Sequence, residues 1–129
     1  MTADEINRYI GMRWVDGARG PDTFDCWGLL VWIQREHFDI RLPDRAIDPG
    51  VMRDLYRTEV DAGRWRIVPH PFDGCGVLLR GGDQPHVGVF LQNDGGGVLH
   101  AAESAGVVYT PKRYLGEAGY ARATWYKFL

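Results

Sequence analysis

Cysteine is scarce in this chain: Cys26 and Cys75 are the only two among 129 residues. A disulfide-stapled scaffold is thereby excluded, and neither C-x-x-C nor H-x-x-x-H spacing is present to suggest a zinc site. No apolar run approaches the ~18 residues needed to span a bilayer. The opening residues Met1-Thr2-Ala3-Asp4-Glu5 have neither the basic nor the apolar region of a signal peptide. The expectation is therefore synthesis in the cytoplasm, with both thiols free. An excess of one charge is missing too, with 15 Lys and Arg against 17 Asp and Glu. With acids and bases interspersed, nothing points to nucleic acid or to an anionic membrane surface. Internal repeats and low-complexity segments are also lacking.

What is present suits one compact domain over residues 1–129, because 45% hydrophobic and 12% aromatic content supplies a core without room for a second. Thr2-Ala3-Asp4-Glu5 has the form of a capping box, and Ile6, Tyr9 and Ile10 predict a short helix to about Met12. Residues 13–24, with Gly17, Gly20 and Pro21, read as a loop. Leu29, Leu30, Ile33 and Phe38 predict a long helix from Cys26 to about Phe38. Asp48-Pro49, with Met52, Leu55 and Val60, predicts another, stopped by Gly63. After residue 64 the period becomes alternating. Strands are expected near Trp65–Val68, Gly76–Arg80, His86–Gln92, Gly97–Ala102, Gly106–Tyr109 and Ala121–Phe128, with a helical turn over Pro111–Gly116. Helices first and an antiparallel meander after them is an α+β pattern, the helices packed on one face of the sheet.

The chemistry concentrates at Asp22-Thr23-Phe24-Asp25-Cys26-Trp27-Gly28-Leu29-Leu30, where a polar loop runs into the central helix. A thiol in the first helical turn meets unpaired backbone N–H groups and the positive end of the helix dipole, both of which favour thiolate. Asp25 is a good N-cap there, and as an anion beside the sulfur it is a cap rather than a catalyst. The dipole contributes about 0.3–1 kcal/mol, or ~2 when partly buried, at most about one and a half pKa units. That is too little to bring a thiol from ~8.5 to ~4. A nucleophilic Cys26 needs a cationic partner, and histidine is the natural one.

Alternation in His86-Val87-Gly88-Val89-Phe90-Leu91 puts Val87, Val89 and Leu91 on one face and His86, Gly88 and Phe90 on the other. Asn93-Asp94-Gly95-Gly96-Gly97 is a hairpin signal. With Leu91 opposite Gly97 and a loop over 92–96, Gly88 faces His100, and the two histidines become diagonal neighbours. A helix end laid on the histidine face would bring Cys26 to His86, with His100 behind it as the orienting group. Nucleophile, base and orienter suit acyl transfer.

Phe24-Asp25-Cys26-Trp27-Gly28-Leu29, then His86-Val87-Gly88-Val89-Phe90-Leu91 about sixty residues on, then Leu99-His100, resembles the NlpC family of papain-like cysteine peptidases. The resemblance spans about Tyr9 to His100 and implies Cys26 as nucleophile, His86 as base and His100 as orienter, with no cofactor. Its wording around Cys26 is most similar to that of phage tail assembly proteins. It implies cleavage of peptidoglycan stem peptides, often between D-glutamate and diaminopimelate, with a peptidoglycan peptide and phage tail proteins as partners. Without a signal peptide, a phage tail, a tail-like particle or cell lysis would bring the protein to the wall, and the wording around Cys26 favours the tail. Two departures are visible: many members have Ser and Gly after the cysteine where this chain has Trp27 and Gly28, and Trp14 stands where a tyrosine is common. Trp14, Arg19 and Trp27 are the candidate substrate-groove residues, Arg19 as a partner for a substrate carboxylate. An acyltransferase group with a similar triad places the histidine before the cysteine, the reverse of the order here.

Cys75 between glycines reads as structural, and His37 and His70 as surface residues. Zinc held by Cys26, Cys75, His86 and His100 is the alternative chemistry, and a tail protein keeping the fold with an idle site is the alternative function.

Overall fold

The computed structural model describes residues 1–42, 63, 65–81 and 86–129. The helix expected from Asp48 to Val60 lies outside them. Helix α1 spans Ala3–Tyr9 and opens on the expected capping box, Thr2 and Glu5 each bonding the other's backbone N–H. It ends before Met12 because the chain turns at Gly11, whose N–H bonds the Val107 carbonyl at 2.9 Å. The loop over 13–24 contains a feature the sequence does not announce. Strands β1 (Arg13–Trp14) and β2 (Thr23–Phe24) pair in parallel, with Trp14 opposite Phe24. Helix α2 then runs over Cys26–Phe38.

Six strands form the sheet: β3 (Trp65–Val68), β4 (Gly76–Arg80), β5 (His86–Leu91), β6 (Gly97–Ala102), β7 (Gly106–Pro111) and β8 (Arg122–Phe128). Their order is β3-β8-β4-β5-β6-β7, every neighbouring pair antiparallel. Only β4 to β7 form the expected meander. Strand β8 returns to pair with both β3 and β4, a non-local pairing that alternation within a strand does not specify. One-turn 3₁₀ helices occur at Asn93–Gly95, in the β5–β6 hairpin, and at Lys112–Tyr114.

Helix α2 buries Leu29, Leu30 and Ile33 against Val87, Val89, Leu91, Leu99 and Ala101. Full burial of such side chains stabilises by about 1.5–3 kcal/mol each, enough to fix the helix on the sheet. The opposite face packs Phe90 and Val98 with Cys75, Val77, Leu79, Leu115 and Trp125. Both cysteines are free and buried. His37 departs from its expected surface role. It bridges the two helices, with Nε2 2.9 Å from the Tyr9 hydroxyl and Nδ1 3.2 Å from Glu5. His70 is exposed as expected. Among the described residues no helix is long and apolar enough to cross a membrane.

Candidate active site

Asp25 builds the N-terminus of α2. Its carboxylate accepts from the Gly28 N–H at 2.7 Å, from the Gly17 N–H at 3.2 Å, and from the Arg19 guanidinium at 2.8 Å. The cap is therefore tied to the preceding loop, and the Asp25 N–H adds a bond to the Ala18 carbonyl at 3.0 Å. Gly28 makes this possible. A Cβ there would land on the Ala18 carbonyl oxygen and lie 3.1 Å from the Arg19 Cα. The Asp-Cys-x-Gly spacing thus has a local cause: one residue caps the helix, and the other lets the loop cross it.

The histidines meet as the hairpin register predicts. Leu91 pairs with Gly97 and Val89 with Leu99, and the His86 Nε2 lies 2.8 Å from the His100 Nδ1. Gly88 is what lets the strands close here, since a Cβ on it would sit 2.6 Å from Val98 Cγ1 and 3.0 Å from the His100 Cβ. The approach of the helix differs from expectation. The body of α2 covers the Val87, Val89 and Leu91 face, not the histidine face. Phe90 bonds the residues just before β4, its N–H donating to the Cys75 carbonyl and its carbonyl accepting from the Gly74 N–H, so by alternation the Val87 N–H points toward β6. The β5–β6 ladder ends at Val89, and the Val87 N–H instead bonds the Cys26 sulfur. The thiol is thus seated where the two strands part, beside the residue that follows His86.

Cys26 is 5% exposed and His100 2%, while His86 is half-buried. Burial pushes the Cys26 thiol up to about 11, the Asp25 charge adding to it and the N–H groups of Val87, Trp27 and Cys26 opposing it. Burial lowers His86 to about 3, with the neighbouring His100 adding to the effect, and lowers His100 to about 4. The expectation of a standing cationic imidazole is therefore not met. At neutral pH each charge alone is disfavoured by desolvation. Moving the thiol proton to His86 would create both charges together, and their attraction offsets part of that cost.

Two residues escaped the sequence reading. Tyr120 stacks on His86 with ring centroids 5.6 Å apart and planes at 10°, and meets His100 edge-on at 5.8 Å. Thr110 places its hydroxyl 2.9 Å from the His100 Nε2. No motif marks either one; only the strand pairing and the 112–120 turn bring them in. Of the groove candidates, Trp14 is half-buried beside Phe24. Arg19 already has one guanidinium nitrogen on Asp25. Trp27 is 3% exposed inside the core, so its ring offers a groove almost no surface. Among the described residues no three His, Cys, Asp or Glu side chains converge as metal ligands, and Cys75 is buried in the opposite cluster.

A helix-borne thiol set against a strand-borne imidazole pair, on an antiparallel sheet, defines a papain-like α+β domain. The family model described as the NlpC/P60 family matches residues 11–125, and the chain belongs to that family. No curated protein sequence matches it significantly. Among solved structures it is similar to NlpC2 from Trichomonas vaginalis (TM-score 0.64, 20% identity, 98% of this chain and 45% of that one). NlpC1 from the same organism matches comparably (0.64, 21%, 95% and 41%). The NlpC/p60 domain of the peptidoglycan hydrolase SagA also matches (0.55, 19%, 86% of each). The chain spans less than half the length of the two Trichomonas proteins, and at these identities the likeness is one of fold.

Proposed function

We propose that this domain is a cysteine peptidase that hydrolyses peptidoglycan stem peptides at the γ-D-glutamyl-diaminopimelate bond, through Cys26, His86 and His100. The observation that carries the reading is the 2.8 Å His86–His100 hydrogen bond next to a helix-terminal thiol. His86 Nδ1 takes the thiol proton, and the sulfur attacks the scissile carbonyl carbon. The imidazolium then protonates the leaving amine as the C–N bond breaks, leaving a thioester. Water loses a proton to His86 and attacks that thioester, and the C–S bond breaks with return of the proton to sulfur. The backbone N–H groups of Cys26 and Trp27, at the N-terminus of α2, are the donors we assign to the developing oxyanion. Trp14, near the start of α2, forms groove wall without a tyrosine hydroxyl, and Arg19 acts through Asp25.

The setting we assign is a phage tail or tail-like particle, supported by the wording around Cys26. Two observations favour the idle-site alternative, a tail structural protein: Cys26 is 5% exposed, and Tyr120 stacks over His86. Incubation with purified peptidoglycan and with free muropeptides, read by mass spectrometry, separates the two. Paired fragments from the γ-D-glutamyl bond support the hydrolase. Intact material in both assays, with the protein found stoichiometrically in tails, supports the structural reading.

A further inference from the structure

The two histidines, both neutral at physiological pH, share a single proton along the 2.8 Å line between the His86 Nε2 and the His100 Nδ1. Two arrangements satisfy that line. In the first, both rings carry their proton on Nε2, so the His86 Nδ1 is bare and able to accept a proton. In the second, both carry it on Nδ1, and His86 presents an N–H where a base is needed.

The ends of the chain of hydrogen bonds select between them. At the near end the hydrolase reading needs a bare His86 Nδ1 to take the Cys26 proton, and only the first arrangement supplies it. At the far end the Thr110 hydroxyl lies 2.9 Å from the His100 Nε2. In the first arrangement it accepts from that N–H, and its own hydrogen is left for the half-exposed surface of β7. His100 is 2% exposed, so without Thr110 its Nε2–H would be a buried donor with no partner. Buried orphan donors are rarer and costlier than under-used acceptors.

We propose that Thr110 is a positioning residue of this site, accepting from the His100 Nε2–H and thereby holding both imidazoles in the tautomer that leaves the His86 Nδ1 bare. Its catalytic purpose rests on the hydrolase reading; the tautomers themselves are a property of the folded protein. Thr110→Val keeps the shape and suits a strand, but removes the acceptor and tips the pair toward the second arrangement. Thr110→Ser keeps the hydroxyl.

The experiment is long-range ¹⁵N–¹H correlation of the histidine rings in the full chain at pH 7.5, alongside kcat and KM on muropeptides. Wild type and Thr110→Ser are expected to show Nε2–H on His86 and His100. Thr110→Val is expected to show Nδ1–H at both, with kcat lower by about ten- to a hundredfold and KM little changed. Nε2–H retained at both rings in Thr110→Val, Nδ1–H in the wild type, or failure of serine to restore the wild-type pattern would each overturn the proposal. A wild type that cleaves nothing, while its tautomers respond as stated, leaves Thr110 in its role and removes the hydrolase reading instead.

Discussion

Gly28→Ala sets two effects of opposite sign against each other at the start of α2. Helix propensity alone favours alanine by about 1 kcal/mol. The added Cβ, however, would fall on the Ala18 carbonyl oxygen, 3.0 Å from Asp25 Oδ1 and 3.1 Å from the Arg19 Cα. Two of these neighbours are backbone atoms and cannot rotate away, so the loop or the helix must shift. Overpacking of this kind costs about 1–3 kcal/mol. The shift also strains the Asp25 N–H bond to Ala18, worth about 0.5–1.5 kcal/mol. It disturbs the Asp25 cap on Gly28, whose loss would cost about 1 kcal/mol. The steric terms outweigh the propensity gain, and the net expectation is a loss of about 1–3 kcal/mol in urea unfolding. Because Cys26 rides on the same turn, hydrolysis should fall along with stability. A variant as stable as the wild type, or more stable, would refute the close-approach argument and leave propensity as the deciding term.

Asp25→Ala removes the cap and leaves Arg19 without its carboxylate; a loss of about 1–2 kcal/mol is expected in the same unfolding assay, and an unchanged midpoint would contradict the cap's role. His100 is held at about 4 in the fold against an ordinary 6.5, so the unfolded chain takes up its proton first as pH falls. Its stability contribution is complete above about pH 6.5 and drains between there and pH 4, at up to about 1.4 kcal/mol per pH unit. Unfolding at pH 7.5 and 5.0 should therefore show a steeper acid loss in wild type than in His100→Gln, and equal slopes would count against a buried neutral His100. Activity is expected to be insensitive to EDTA, and a loss restored by zinc would favour the metal alternative.

The elements carrying the site were legible where their signals were local. Asp25 before a helical period marks the α2 start, and Asn93-Asp94-Gly95-Gly96-Gly97 together with strand alternation gives the β5–β6 register on which the His86–His100 contact depends. The covering face was not legible, because both faces of β5 are apolar: Val87, Val89 and Leu91 on one, Phe90 beside Val98 on the other. The place of β8 between β3 and β4 depends on pairing across more than forty residues, which no local pattern encodes. The burial of Trp27 and of His37 was not legible for a related reason. Helical spacing gives a residue's face, while its burial depends on what packs there. Thr110 and Tyr120 stayed hidden because threonine and tyrosine are ordinary in strands and turns.

Sulfur chemistry at Cys26 is tested most directly by muropeptide hydrolysis with Cys26→Ala, with circular dichroism confirming that the fold is retained. The expected result is a rate at least about a thousandfold below wild type, since no other group in the site can form the thioester. Cleavage at the wild-type rate by the folded variant would contradict it.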